Sequence, residues 1–308
     1  NNSVIYISHH IKEIFEICDR VTVLKDGKKI GTYNVSDIKK TILINKMIGE
    51  KKTTIYEREH DYIDESAETL EIKDYHQEGI VNHISFDVKK GEIFGFLGPN
   101  GAGKTTSMRM MTGRLSPTSG TARIVGYDVV DDTLEVKKRI GVLEDEPRLY
   151  DRLTVIEYLN FIGDIYDIDF GDRAQELIDL VDLEDKRDSL IVDLSHGQKK
   201  KVGLAGEILH EPELLFLDEP FAGIDPISSR AIKDGLVELT DQGVTIFLST
   251  HILEVAEKLC EEVAIIDGGE VLERGDISNL RKRAELDEYS SLEDVFLKLV
   301  EQSEEVKL

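Results

Sequence analysis

Cysteine is scarce in this 308-residue chain: Cys18 and Cys260 are the whole supply. Two cysteines make neither a disulfide framework nor a metal-binding spacing, and the pattern suits a reducing cytosol. Long apolar runs are missing too. Stretches such as Leu214-Leu-Phe-Leu217 fall far short of the roughly 20 residues that cross a bilayer. No secretory leader pattern opens the chain. Its first residue is Asn rather than Met, so a longer parent reading frame is expected. Basic residues are outnumbered 62 to 38, giving a formal charge of −24. A surface of that sign repels phosphate backbones and offers no polybasic footprint, so no nucleic-acid partner is expected. The acidity itself reads as a solvated surface. What is present, 40% hydrophobic and 32% charged residues, is enough for one full domain with a sizeable core plus a remainder.

The remainder has a recognisable origin. Residues 4–30 match residues 246–272 without a gap. His9 pairs with His251, Ile17 with Leu259, Cys18 with Cys260, Val21 with Val263 and Gly27 with Gly269. Both copies read as a strand, an amphipathic helix and a β-hairpin. In the second copy these are Thr245–Ser249, Leu253–Cys260 and Val263–Leu272, turning at Gly268-Gly269. The cysteines fill one helical slot twice and read as small core residues. Residues 1–50 are therefore expected to be the C-terminal remnant of a preceding domain like the one that follows. The first strand, Val4–Ser8, reads as a buried parallel strand whose own sheet is lacking, so loose packing is expected there. Residues 51–68 are polar and unpatterned, as in a linker. One complete domain is expected over residues 69–280. A helical tail follows over 281–308, in which Leu292, Val295, Phe296 and Leu299 share one face.

Three motifs in that domain carry chemistry. Gly98-Pro99-Asn100-Gly101-Ala102-Gly103-Lys104-Thr105 has the spacing of a phosphate-binding loop, with Thr106 continuing into the helix. A buried strand, Glu92–Leu97, enters it. The glycines let successive backbone N–H groups turn inward around phosphates, and the helix N-terminus adds a favourable dipole. Lys104 is expected to reach the β- and γ-phosphates of a nucleotide, and Thr105 to hold Mg²⁺. Second, the apolar strand Leu214–Leu217 ends in Asp218 and Glu219. Adjacent residues at a strand end splay apart, so Asp218 can serve the metal while Glu219 polarises water. Third, Leu194-Ser195-His196-Gly197-Gln198 opens an apolar helix; Ser195 suits the N-cap, and the freed amides with Gly197 make a second anion site.

These motifs in this order resemble the ATP-binding cassette (ABC) family over nearly all of residues 70–300. Gly98–Thr105 resembles its Walker A, Leu214–Glu219 its Walker B and Leu194–Gln198 its signature. His196 departs from the family's LSGGQ. Gly223-Ile-Asp225-Pro226 resembles the D-loop, and His251 the switch histidine. The resemblance implies an α/β P-loop NTPase: a RecA-like core with a mostly parallel sheet, an antiparallel β edge and a helical subdomain at about residues 146–205. It implies ATP and Mg²⁺ as cofactors and a head-to-tail pair of cassettes, each ATP lying between one phosphate loop and the partner's signature. In that arrangement Glu219 activates water, His251 contacts the γ-phosphate, and Ser195, Gly197, Gln198 and Asp225 complete the nucleotide site. The family's Q-loop glutamine falls at Asp145, within Glu144-Asp145-Glu146-Pro147. Aspartate is shorter and charged; it remains a candidate ligand of Mg²⁺ or water. Tyr75 or His76 is the candidate aromatic for stacking adenine.

Two branches of the family are visible. Residues 1–92 resemble the junction of tandem sugar-importer ATPases. Residues 93–300, with Glu146–Thr154 and Ser291–Leu297, resemble multidrug-type exporter ATPases. The expected function is an ATP-hydrolysing subunit on the cytoplasmic face of a membrane. It would drive a separate integral permease, whose coupling helix meets the surface near Asp145 and Tyr150. The alternative is a ribosome- or DNA-associated ABC ATPase. The −24 charge opposes it, because such a chain would need a strong basic patch, and basic residues cluster only in short runs such as Lys199–Lys201. An inactive scaffold is opposed by the intact Lys104, Asp218 and Glu219.

Overall fold

A computed structural model describes residues 4–6, 14–15, 17–25, 28–38, 43, 68–168, 173–287 and 289–306. Its centre is a six-stranded sheet built from β5 (Ile93–Leu97), β8 (Ile140–Leu143), β9 (Leu214–Asp218), β10 (Thr245–Thr250), β11 (Glu262–Asp267) and β12 (Glu270–Asp276). The spatial order is β12-β11-β5-β10-β9-β8. All pairings are parallel except β11 with β12 at the edge. Strands that are buried throughout and mostly apolar, as in β5, β9 and β10, are what a parallel sheet covered on both faces requires.

The period-2 alternation of these strands decides what each face meets. Ile93, Leu97, Leu215, Leu217, Ile246, Leu248, Val263 and Ile265 point into a core shared with the helices. The helices in question include α3 (Val155–Tyr166), α4 (Arg173–Leu180), α5 (His196–Ile208), α6 (Pro226–Asp241), α7 (Leu253–Leu259) and α9 (Leu292–Val306); the chain also forms α1 (Lys104–Met111), α2 (Thr133–Lys137) and α8 (Ile277–Arg283). Phe94, Phe96, Phe216, Phe247 and Ile266 point the other way. There they meet a four-stranded antiparallel sheet of β3 (Glu68–Gln77), β4 (Val81–Lys89), β6 (Ser119–Ile124) and β7 (Tyr127–Asp128). Five phenylalanines, Phe86, Phe94, Phe96, Phe216 and Phe247, weld the two sheets with ring centroids 5.3–6.1 Å apart. The expected mixed α/β architecture, with a mostly parallel sheet and an antiparallel edge, is the one found.

The helical region expected at about residues 146–205 contains α3, α4 and most of α5. The C-terminal helix runs farther than its apolar stripe suggests, to Val306, and Leu292, Val295 and Leu299 sit inside the main core. Cys260 is buried at the end of α7, where Gly95 leaves space: a Cβ at Gly95 would lie 3.0 Å from its Sγ. Cys18 is only partly buried.

The first copy of the repeat forms a separate two-stranded sheet, β1 (Arg20–Lys25) with β2 (Lys28–Asn34). Val23, Ile38 and Leu43 form a small core with Phe15, Val21 and Tyr33. Val4–Tyr6 has no regular structure, and Val4 and Ile5 are exposed, so the expected strand is not formed there. Residues 7–8 of that strand and residues 51–67 of the expected linker lie outside the described residues. Glu68 opens β3.

Candidate active site

β5 delivers the chain into Gly98 at the bottom of the site. There is no room for a side chain here: a Cβ on Gly98 would stand 2.2 Å from the Ile266 carbonyl. Gly103, at φ +102°, caps α1 in a left-handed conformation that suits glycine. Ala102 is buried, whereas Pro99, Asn100, Gly101 and Thr105 line the exposed rim and Thr106 is half-buried. Lys104 is buried, and its ammonium donates to the carbonyls of Gly98 (2.8 Å) and Pro99 (3.1 Å). The first turn of α1 carries no side-chain cap, so its amides face the loop.

β9 brings the two carboxylates against this loop and sends them apart. One Asp218 oxygen accepts from Thr105 Oγ1 at 2.9 Å, the other from Ser249 Oγ at 2.9 Å. Burial pushes the Asp218 carboxyl above the usual aspartate range. Glu219 turns off the strand end at φ +47°, an uncommon conformation for a side chain of this size. Its carboxylate accepts from Thr250 Oγ1 (3.0 Å) and from the His251 amide (3.4 Å). Glu219 Oε1 lies 2.8 Å from His251 Nδ1 and 3.7 Å from the Lys104 ammonium. Lys104, Asp218, Glu219 and His251 thus converge at the C-terminal ends of β5, β9 and β10. Ligand sites of open α/β sheets lie at such strand ends.

The motif at Leu194–Gln198 forms a second cluster. Ser195 caps α5 in a reciprocal box: its Oγ accepts from the Gln198 amide (3.3 Å), and Gln198 Oε1 accepts from the Ser195 amide (2.9 Å). Gly197 is buried beside Ile224 and Asp225; its Cβ would lie 3.9 Å from Asp225 Oδ2. Asp225 in turn accepts from the Ser228 amide at 3.1 Å. The hydrogen bonds of Ser195, Gln198 and Asp225 described here close on their own neighbourhood and not on the phosphate loop.

Comparison with known proteins agrees with this geometry. Residues 81–222 match the family model described as ABC transporter. The linearmycin resistance ATP-binding protein LnrL of Bacillus subtilis (strain 168) is 38% identical over 214 residues, 68% of this chain and 69% of that one. The bacitracin transport ATP-binding protein BcrA of Bacillus licheniformis is 39% identical over 212 residues, with 68% and 69% covered. A solved ATP-binding subunit of an ABC transporter superposes with a TM-score of 0.71 at 30% identity, covering 75% of this chain and 99% of that one. The chain belongs to the ABC transporter family. It is an ATP-binding and ATP-hydrolysing subunit of that family, and these comparisons lend no support to a ribosome- or DNA-associated role. ABC ATPase subunits dimerise and work with membrane permeases. Among the described residues, no helix is long and apolar enough to cross a membrane.

Several residues take places that an ABC cassette reading of the sequence does not anticipate. Tyr75 is fully buried and its hydroxyl donates to the Met110 carbonyl at 3.0 Å; it is a core residue and cannot present a face to adenine. His76 stacks on His83 with centroids 4.5 Å apart. The lysine run at 199–201 is not a basic patch, because Lys200 and Lys201 are buried. Asp145 shares a cavity of about 460 Å³ with Thr105 and Asp218, but one of its oxygens is 2.8 Å from the Lys200 ammonium. Ser249 and Thr250, which fix the two carboxylates, are also missed. Their signal was a polar pair closing an apolar strand, directly before a histidine already singled out.

Proposed function

We propose that this chain is the Mg²⁺-dependent ATPase of a transporter complex, acting as a pair of cassettes docked on a separate integral membrane permease at the cytoplasmic face. The observation that supports it best is the meeting of Lys104, Thr105, Asp218, Glu219 and His251 at one set of strand ends. The resistance and transport roles in the names of LnrL and BcrA favour movement of antibiotic-like molecules.

The oxygen donors fit the metal. Thr105 Oγ1 and Asp218 are in direct contact, both hard ligands. Among the described residues no group of three or more His, Cys, Asp or Glu side chains forms a cage. Mg²⁺ is held this way in nucleotide sites, by one or two protein ligands with phosphates and water. When bound, it offsets charge on the phosphates. Thr105 and Asp218 are the pair we assign to it. Asp145 lines the same cavity with one oxygen engaged by Lys200.

The remaining residues have separable tasks. Lys104 exchanges the carbonyls of Gly98 and Pro99 for phosphate oxygens, keeping its charge beside the developing negative charge. Glu219 takes the proton of the attacking water. Thr250 and the His251 amide hold one carboxylate oxygen in place, and the His251 ring orients the other. The signature cluster Ser195, Gly197 and Gln198, with Asp225, serves the nucleotide of the opposite cassette.

Replacement of the base tests this reading. Glu219→Gln keeps the hydrogen-bonding shape and removes the base, so it should bind ATP and dimerise while turnover falls by about 100-fold or more. Phosphate release and ATP-dependent dimerisation on a sizing column measure the two halves. Hydrolysis at the parental rate would show that Glu219 is not the base. Co-purification of an integral membrane partner checks the transporter half.

A further inference from the structure

Lys200 is the least expected residue near the site. It lies one turn into α5, the helix that Ser195 caps, and it is fully buried. A buried ammonium needs an acceptor for every proton and an anion for its charge. All three acceptors are present. They are Asp145 Oδ1 at 2.8 Å, the Glu219 carbonyl at 2.7 Å and the Ala222 carbonyl at 3.1 Å. Asp145 is its ion-pair partner, and that side chain is half-exposed at the cavity it shares with Thr105 and Asp218.

The Glu219 carbonyl is a consequential place to anchor. Glu219 holds a left-handed φ of +47°, which needs support from its surroundings. Its amide donates to the Ser249 carbonyl at 2.9 Å, and its carbonyl accepts from the Ala222 amide at 3.1 Å as well as from Lys200. One cation thus joins the Asp145 loop, the signature helix and the backbone turn that aims Glu219.

We propose that Lys200 is a positioning residue for hydrolysis, and that Asp145 and Lys200 act as a matched charge pair in place of the neutral side chain expected at position 145. Loss of either member frees the Glu219 turn. A displacement of the exposed Asp145 loop is transmitted through the ammonium to the base. The proposal rests on the reading of Glu219 as the base.

The test compares the full chain with Lys200→Gln, Asp145→Asn, Asp145→Gln and the double variant Asp145→Gln/Lys200→Gln, which replaces the ion pair by two amides. Each single variant should lower kcat about tenfold or more while KM for ATP moves less than about threefold, because the phosphate loop is untouched. The double variant should recover to within about threefold of the parent. A merely structural lysine would move KM, kcat and thermal stability together. Parental kcat in Asp145→Asn, or a double variant whose loss is the product of the Lys200→Gln loss and that of Asp145→Gln alone, overturns the pairing. If Lys200→Gln does not fold, Asp145→Asn still decides, since that side chain is half-exposed and nearly isosteric. Glu219→Gln run in parallel separates the two readings. An inactive Glu219→Gln beside a parental Asp145→Asn rejects the charge pair alone, whereas an active Glu219→Gln rejects the base.

Discussion

The hairpin of β1 and β2 and the hairpin of β11 and β12 are the same object in two settings. Arg20 pairs with Asn34 and Glu262 with Asp276; Val21 pairs with Tyr33 and Val263 with Gly275. Every further pair corresponds, down to the bulge, which falls between Val23 and Leu24 in one and between Ile265 and Ile266 in the other. The local pattern alone sets register and bulge. It does not set burial. β11 has β5 on its free side and joins the six-stranded sheet, whereas among the described residues the β1–β2 sheet has two strands. Leu24 is therefore 68% exposed, while Ile266 at the matching position is 0% exposed. Ile17 and Leu259 differ in the same sense. A two-stranded hairpin is marginal alone, and three or more strands or a packing partner are needed.

The largest expected effect exploits that matched pair. Ile266→Ala removes a side chain from the core between the two sheets and should cost about 2–5 kcal/mol. Leu24→Ala trims an exposed side chain and should stay within about 0.5 kcal/mol. Denaturant unfolding measures both. Equal losses would mean that β1 is covered by something the present packing does not include.

A smaller effect comes from the seam where the second hairpin joins β5. Glu92 is buried there beside Glu261 and Glu262, and burial pushes its carboxyl up to about 7. Because the folded value is raised, the folded state keeps a proton that the unfolded state releases from its ordinary carboxylate range upward. Stability therefore falls as pH rises toward 7 and levels off above it. Glu92→Gln keeps an acceptor for the Lys89 amide and removes the charge. It should match the parent near pH 4.5 and exceed it by about 3 kcal/mol at pH 8. A difference that does not vary with pH would place the seam's cost elsewhere.

Much of this molecule is legible in the sequence, for a physical reason. β5, Gly98–Thr105 and β9 are continuous in sequence or strongly patterned, so strand, loop and carboxylate pair declare themselves. The divergence of Asp218 and Glu219 follows from strand geometry alone. What escapes is long-range pairing. Lys200 and Asp145 are 55 positions apart, and nothing local shows that the middle of three lysines faces inward. Tyr75 looked available for a base because an aromatic near the start of a cassette is usually read as surface. Its burial depends on Met110 and the second sheet. The start of the chain shows the limit of composition: Val4–Ser8 has a strand's composition, but a parallel strand needs neighbours, and Val4 and Ile5 are exposed, in keeping with the loose packing expected there.

The smallest effect lies just past the two hairpins, where the repeat continues with its partners exchanged. Asp276 caps α8, accepting from the Asn279 amide at 2.9 Å and from the Asn279 side-chain amide. In the first copy the roles are reversed: Asn34 donates its side-chain amide to Asp37 at 2.8 Å and makes no side-chain cap. A short 3₁₀ turn, Val35–Asp37, stands where α8 begins in the second copy. The cap carries energy only where a helix behind it is anchored, and Leu280 of α8 is fully buried in the main core. Asp276→Ala should cost about 1 kcal/mol, while Asn34→Ala should cost a few tenths at most. Unfolding curves of the two variants measure the difference. A loss at Asn34 equal to that at Asp276 would show that the first copy retains a stable helix start of its own, and that its sheet is less isolated than β1 and β2 imply.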